Sequence, residues 1–384
     1  MSFNQQQQLY ELLRRSRNPV IVCKANPSGD AISAGLALSK ILQKMGKNTD
    51  IICPELPAEH VFNFLAGAES IKNNVCGLKK FVISLDAEKI AEPEIKHEIS
   101  GGRLNIFVDG TKINLLKDDV KIFDSVYKHD LIVALNAPDL ESMGALFEEN
   151  ADFFYQTPII NIDHSPENEH YGQLNLINIT AISISEIIYE MIEMLDSNFM
   201  DESIATCLLA GMIEKTKSFK IPSVTPKTLH IASCLLAAGA EREMIVRKLY
   251  QTKTVNSMRL WGRVLLNLQT DENQKIAWAE IKEEEFSATG ATEKDLPALI
   301  EELIACIPTI ELTALFYEKE NEKFCLLKSE KNIDLKNIFS NISESGTKNP
   351  LKIKLDCPIQ EILEKLKKIS KRPIMSRISF IRQK

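Results

Sequence analysis

The stretch CKANPSGDA, residues 23–31, decides the reading of the fold. It joins an apolar run, PVIVCKA, to a helical pattern in which Ala34, Leu38, Ile41, Leu42 and Met45 recur at helical spacing and Gly46 closes the helix. A second apolar run, TDIICP, follows, which makes a strand, helix, strand unit. Further runs, FVISLDA, RLNIFVDG, DLIVALNAP and PIINIDHSP, carry the pattern to about residue 163. Continuous apolar runs of this kind predict strands buried on both faces, hence an α/β fold with a largely parallel, doubly wound sheet covered by helices. The loop at 26–30 then lies at the carboxyl end of the first strand, the edge where open α/β sheets bind ligands. It carries a single acid, Asp30. Lys24 and Ser28 stand where a metal site needs carboxylates or histidines.

The rest of the composition narrows the classes. At 384 residues and 44% apolar content the chain can bury a real core in one or two domains. Its 46 basic and 53 acidic residues give a net charge of −7, which does not suit a general duplex-DNA binder. No signal-peptide core and no run of roughly 18 apolar residues occurs, so the expected address is cytoplasmic, without a membrane partner. Eight cysteines without a C-x-x-C fit buried free thiols rather than a disulfide framework or a zinc ribbon.

Residues 181–250 read as successive helices, including AISISEIIYEMIEML, ESIATCLLAGMIEK and PKTLHIASCLLAAG. After about residue 255 the order changes to helix, strand, helix, two strands joined through ENEK, a short helix near 334–340, a strand at 351–356 and a last helix from Pro358. Two domains are expected, 1–245 with its helical connector and 255–384, the second a smaller mixed α/β domain. The tail KLKKISKRPIMSRISFIRQK holds eight Lys or Arg and no acid. It reads as a solvated terminus or as a contact for an anionic partner.

Asp30 alone could be a helix cap, and the turn before it is ordinary. His164 could be a core histidine held by Asp163. Asp86, Asp109, His60, His97, His129, His170 and His230 show no metal-ligand spacing, and no Walker loop, dinucleotide fingerprint or nucleophile elbow is present.

Three segments in register carry more. The loop NPSGDA, the strand end NIDHSPEN and the segment GMIEKTKSF follow fitting apolar elements in that order. Together with AISISEIIYE they resemble the DHH phosphoesterases of the oligoribonuclease and pAp phosphatase type. That family carries a H-x-N-P-D-G-D-A loop, an aspartate ending a middle strand, the D-H-H sequence and a G-x-x-x-D-T-G-x-F segment. The second half is similar to the DHH-associated domain, so the resemblance covers nearly the whole chain. It implies two divalent cations, typically manganese, and hydrolysis of a phosphoester by a metal-activated water, with carboxylates balancing the charge.

Matched position by position, the resemblance puts Lys24 in place of the family's first His and Ser28 in place of its first loop Asp, while Asn26 and Asp30 are kept. Asn136 falls on the bridging Asp, and Ser142 on an Arg. Asp163 and His164 are kept, and Ser165 replaces the second His. Lys215 replaces the last Asp, and Lys217 stands where Gly is usual. In the second domain the glycine-rich substrate loop corresponds to SESGTKNP, which keeps Gly346 and adds Lys348; Lys328 and Ser329 match an Arg-Ser pair.

This pattern implies no metal site, with Lys24 and Lys215 pairing with Asp30 and Asp163 in place of cations. The expected function is a pseudoenzyme that binds a short nucleic acid or nucleotide in the inter-domain cleft. Lys217, Lys328, Ser329, Gly346 and Lys348 would face that ligand, and Lys217, Lys328 and Lys348 are the more exposed lysines. A scaffold for a protein partner and an active manganese- or magnesium-dependent phosphoesterase with a remodelled site remain as alternatives.

Overall fold

The computed structural model describes residues 3–57, 60–75, 77–92, 94–251, 253–320, 322–329, 335–339 and 350–370. Gly346, Lys348 and the end of the basic tail, from 371, lie outside them. The chain divides into two compact units, Met1–Gln251 and Thr252–Lys384.

The first unit is built on six parallel strands in the order Leu174–Ile177, Ile159–Asp163, Leu131–Leu135, Pro19–Cys23, Asp50–Ile52, Ile71–Lys72. Alternate residues along these strands serve opposite faces. Ile21, Cys23, Val133, Leu135 and Ile160 pack with the helices Gly29–Lys44, Ile184–Leu195 and Glu202–Lys215. Val20, Val22, Ile132 and Ala134 pack with Met143, Phe147, Phe153 and Phe154 on the other side. Both faces are therefore apolar, which is why the strand sequences show no alternation. Each Val or Ile so buried contributes roughly 1.5–3 kcal/mol.

Two of the runs read as buried strands lie outside this sheet. Lys79–Leu85, which holds FVISL, pairs antiparallel with Val120–Tyr127, and Arg103–Asp109, which holds LNIFVD, pairs with Glu94–Ser100. Between them Ile90–Ala91 pairs with Lys112–Ile113. The three nested ladders form one ribbon inserted between Ile71–Lys72 and Leu131–Leu135. It turns at Gly101 and Gly102, whose φ values of 59° and 75° suit residues without a Cβ. Its side chains are mostly exposed. An apolar run favours a strand wherever it lies, but says nothing about what covers that strand.

The second unit holds a five-stranded mixed sheet in the order Gln269–Thr270, Ile276–Ile281, Leu312–Lys319, Glu322–Ser329, Leu351–Lys354, in which only the second and third strands run parallel. Phe316, Leu327 and Ile353 meet Ile362 and Leu366 of the helix Ile359–Ser370 on one face. Ala279, Leu315 and Leu326 meet Leu260 and Leu299 on the other. Cys23, Cys53, Cys207, Cys234, Cys325 and Cys357 are free thiols. Among the described residues no helix is long and apolar enough to cross a membrane.

Candidate functional site

The pairing of Cys23 with Leu135 and of Leu135 with Ile162 aligns three strand ends, so Lys24, Asn136 and Asp163 follow one another along one edge of the sheet. The loops there hold each other. Asn26 and Asn136 both adopt left-handed backbone, with φ of 51° and 53°, which Asn tolerates better than most residues. Asn136 donates its backbone N–H to Ile162 O at 3.0 Å and its side-chain amide to Ser28 Oγ at 3.5 Å. Ser28 caps the helix Gly29–Lys44 by accepting from the Ala31 amide at 3.3 Å. The Asn26 side chain donates to Glu55, and the Ala25 amide donates to Ser142 O at 2.9 Å. Ser142 is fixed in turn by Asp139, which accepts from its amide at 2.6 Å and from its hydroxyl at 2.7 Å.

Asp30 is buried and caps a different helix from its own. Its Oδ2 accepts from the Ile184 amide at 2.6 Å, and its Oδ1 from the Ser185 amide at 3.1 Å and the Ser185 hydroxyl at 2.6 Å. The start of Ile184–Leu195 thus supplies both donors and a favourable dipole to a carboxylate that has left water. Gly211 permits the approach of a third helix. A Cβ there would lie 2.2 Å from Ser185 Oγ and 2.8 Å from Asp30 Oδ1.

Asp163 is equally occupied. Oδ1 accepts from the amides of His164 at 2.7 Å and Ser165 at 3.2 Å, and Oδ2 from the Asn168 side chain at 2.8 Å. Asn168 also bonds Asn161 at 2.8 Å, giving a buried amide cluster under the edge. The expected pairing of Lys24 and Lys215 with Asp30 and Asp163 is therefore corrected. Among the described residues those carboxylates are satisfied by backbone N–H groups, a hydroxyl and an amide, all of which stabilise their charge without a cation.

Lys24 is half-buried beside Cys23. Lys215, half-buried at the end of Glu202–Lys215, acts on two neighbours. Burial and then the Lys215 charge push the His164 imidazole below its ordinary value, against the opposing pull of Asp30 and Asp163. Burial and the Asp30 charge push the Glu214 carboxyl up, with Lys215 opposing. His164 Nε2 and Glu214 Oε2 are buried and find no hydrogen-bond partner among the described residues. Ser165 uses its Oγ to accept from the Glu167 amide at 3.2 Å.

The helix bearing Lys215 ends in strained backbone. Lys217, Ser218 and Phe219 follow one another at φ of 48°, 61° and 64°. Thr216 supports the turn by accepting from the Phe219 amide at 3.0 Å and donating to Met212 O at 2.6 Å. A left-handed lysine costs about 1–2 kcal/mol that glycine avoids, partly offset by glycine's greater freedom when unfolded. Lys217→Gly is expected to raise the unfolding free energy by about 1 kcal/mol. Denaturant titration checks this; an unchanged midpoint would show that the strain is relieved in some other way.

The structure thus gathers Asn26, Ser28, Asp30, Asn136, Asp163, His164, Ser165 and Lys215 in the first unit. Lys217 is exposed. Lys328 and Ser329 end a central strand of the second unit, where Lys328 is only 8% exposed and bonded, so its expected exposure is corrected. Its register opposite Thr313 inside the sheet explains this. Sequence reasoning missed the part played by Ser185, Glu214 and Asn168. Ser185 had a signal in the small residues of AISISEIIYE, and Glu214 in its place beside Lys215; Asn168 had none.

Comparison with known proteins agrees with this geometry. The N-terminal domain of the DHH family matches residues 18–212. The bifunctional oligoribonuclease and PAP phosphatase NrnA of Bacillus subtilis is 26% identical over 223 residues, 57% of this chain and 69% of that protein. A probable protein of the same name from Streptococcus mutans is 28% identical over 207 residues, 53% of this chain and 62% of its own. The crystal structure of an exopolyphosphatase-related protein from Bacteroides fragilis shares the fold with a TM-score of 0.67 at 18% identity, covering 96% of this chain and 95% of that one. The match over half the chain, with the motif positions gathered at one sheet edge, shows that this chain belongs to the DHH family.

Proposed function

We propose that the carboxyl edge of the parallel sheet binds the phosphate of a short nucleic acid or nucleotide without hydrolysing it. The observation that carries this reading is the state of the two retained acids. The oxygens of Asp30 and Asp163 already accept five backbone or side-chain bonds from Ile184, Ser185, His164 and Asn168 (three at Asp30 and two at Asp163), and a sixth from Ser165.

The cations that the family implies do not fit this donor set. Among the described residues no group of three or more His, Cys, Asp or Glu gathers as a ligand cluster. A Lys215 ammonium close enough to depress the His164 pKa also repels a divalent ion. The same ammonium, with Lys24, offers charge to a phosphate, and His164 Nε2 is a buried polar atom that a polar ligand would satisfy. The names of the bacterial relatives make short RNA and adenosine 3′,5′-bisphosphate the probes of choice.

Calorimetric titration with manganese, a hydrolysis assay on both probes and fluorescence anisotropy at two salt concentrations test the reading together. Expected are no stoichiometric manganese at micromolar affinity, no turnover, and binding that weakens with salt through counterion release and drops on Lys24→Met or Lys215→Met. Turnover that disappears in His164→Ala would establish an active phosphoesterase instead. Absence of binding at low salt would leave the scaffold reading in its place.

A further inference from the structure

The distal part of the inserted ribbon has two unlike faces. Because side chains alternate, Ile95 with Val108, His97 with Ile106, and Ile99 with Leu104 share one face, while Glu94 with Asp109, Lys96 with Phe107, Glu98 with Asn105, and Ser100 with Arg103 share the other. The apolar face is bare. Ile95, Ile99 and Leu104 are 71%, 78% and 60% exposed, and Ile106 is also exposed. Two strands alone are marginally stable in water, and a hairpin with such a face gains order mainly by covering it.

We propose that this face is covered by the same face of a second copy of the chain, the two hairpins stacking antiparallel about a two-fold axis. The six side chains of this face, Val108 and His97 included, offer about 100 Å² each, hence roughly 500–600 Å² per copy and about 1,000–1,200 Å² for the pair, close to the lower end of specific interfaces. Ile83 and Ile122, exposed and paired, add apolar surface on the proximal ladder of the same ribbon. The face is a band of Ile, Leu and Val with His97 as its one polar residue, and a band of this kind is self-complementary.

The charged side chains of the hairpin lie on its other face. Arg103 stands at the tip beside Gly101 and Gly102, while Glu94 and Asp109 stand at the base with Lys96 between them at 3.6 Å and 3.0 Å. Stacked through the apolar faces, these outer charges stay farther from the partner's than the Debye length of about 10 Å and leave the pairing to the apolar band. A nucleic acid suits the face poorly, since the cations lie on the opposite side.

Sedimentation equilibrium on the full chain tests the proposal. The parent is expected to be a dimer at micromolar concentration. Ile99→Glu with Leu104→Glu puts four charges into the paired faces and should weaken association at least ~100-fold, with the melting of the sheet domain unchanged. Phe107→Glu, on the other face, should leave the dimer intact. A second readout does not depend on tolerance of buried charge. Ile106 lies next to the axis in this arrangement, so Ile106→Cys should cross-link to its own copy under mild oxidation, whereas Ile99→Cys should not. A monomeric parent, a double variant that still dimerises, cross-linking at Ile99→Cys instead of Ile106→Cys, or a monomer that binds zwitterionic vesicles through this face would each overturn it.

Discussion

Asp30→Ala is expected to lower the unfolding free energy by about 3–5 kcal/mol, the range for removing one member of a buried charged network. The cause is the helix it caps rather than any ligand. The Ile184 amide, the Ser185 amide and the Ser185 hydroxyl lose their acceptor together, in a place where water has little access. Asp30→Asn keeps one acceptor oxygen but turns a donor toward the other N–H groups, and should lose somewhat less. Urea unfolding in the presence of a chelator is the measurement. If Asp30 served chiefly to hold a metal, its replacement would change stability little once metal is removed, so a loss below about 1 kcal/mol would contradict the capping account.

The second large effect belongs to Gly211. Its helix, Glu202–Lys215, passes so close to the Asp30 carboxylate that a methyl group would meet Ser185 Oγ at 2.2 Å and Asp30 Oδ1 at 2.8 Å. These atoms are held by hydrogen bonds and cannot swing away as a free side-chain end could. Gly211→Ala should therefore cost about 2–3 kcal/mol through overpacking, despite alanine's better helix propensity. Ser185→Ala removes the nearer obstacle. The double variant Gly211→Ala, Ser185→Ala should accordingly lose less than the sum of the two single changes, and strict additivity in the thermal melts would refute the steric explanation.

The sequence was most legible where one physical constraint acts. Pro19–Cys23 is apolar at every position because both sides of a central parallel strand are covered, and that pattern was enough to place the loop at 26–30 on the binding edge. The segments 79–85 and 103–109 read alike but sit in an exposed ribbon, since a run such as FVISL records a preference for extended backbone and not the identity of its cover. The partner strand of 103–109, EIKHEIS, alternates polar and apolar residues apart from His97 and carried the signal of a one-sided sheet. In the site, Asn26, Ser28, Asn136, Asp163 and His164 were placed together by motif order. The hydrogen bonding of Asp30 and Asp163 was not legible, because backbone amides leave no trace in residue identity. A lysine nearby was the visible candidate; the start of a helix whose first turn reads Ile184-Ser185 was the actual one.

The capping of Ile184–Leu195 by Asp30 spans 154 residues of chain. Any guest that competes for those carboxylate oxygens must first release the helix end, so occupancy of the edge and order of that helix are two readings of one equilibrium. The deuterium uptake of the Ile184 and Ser185 amides consequently reports, from inside the domain, whether a ligand engages Asp30 or only passes over it.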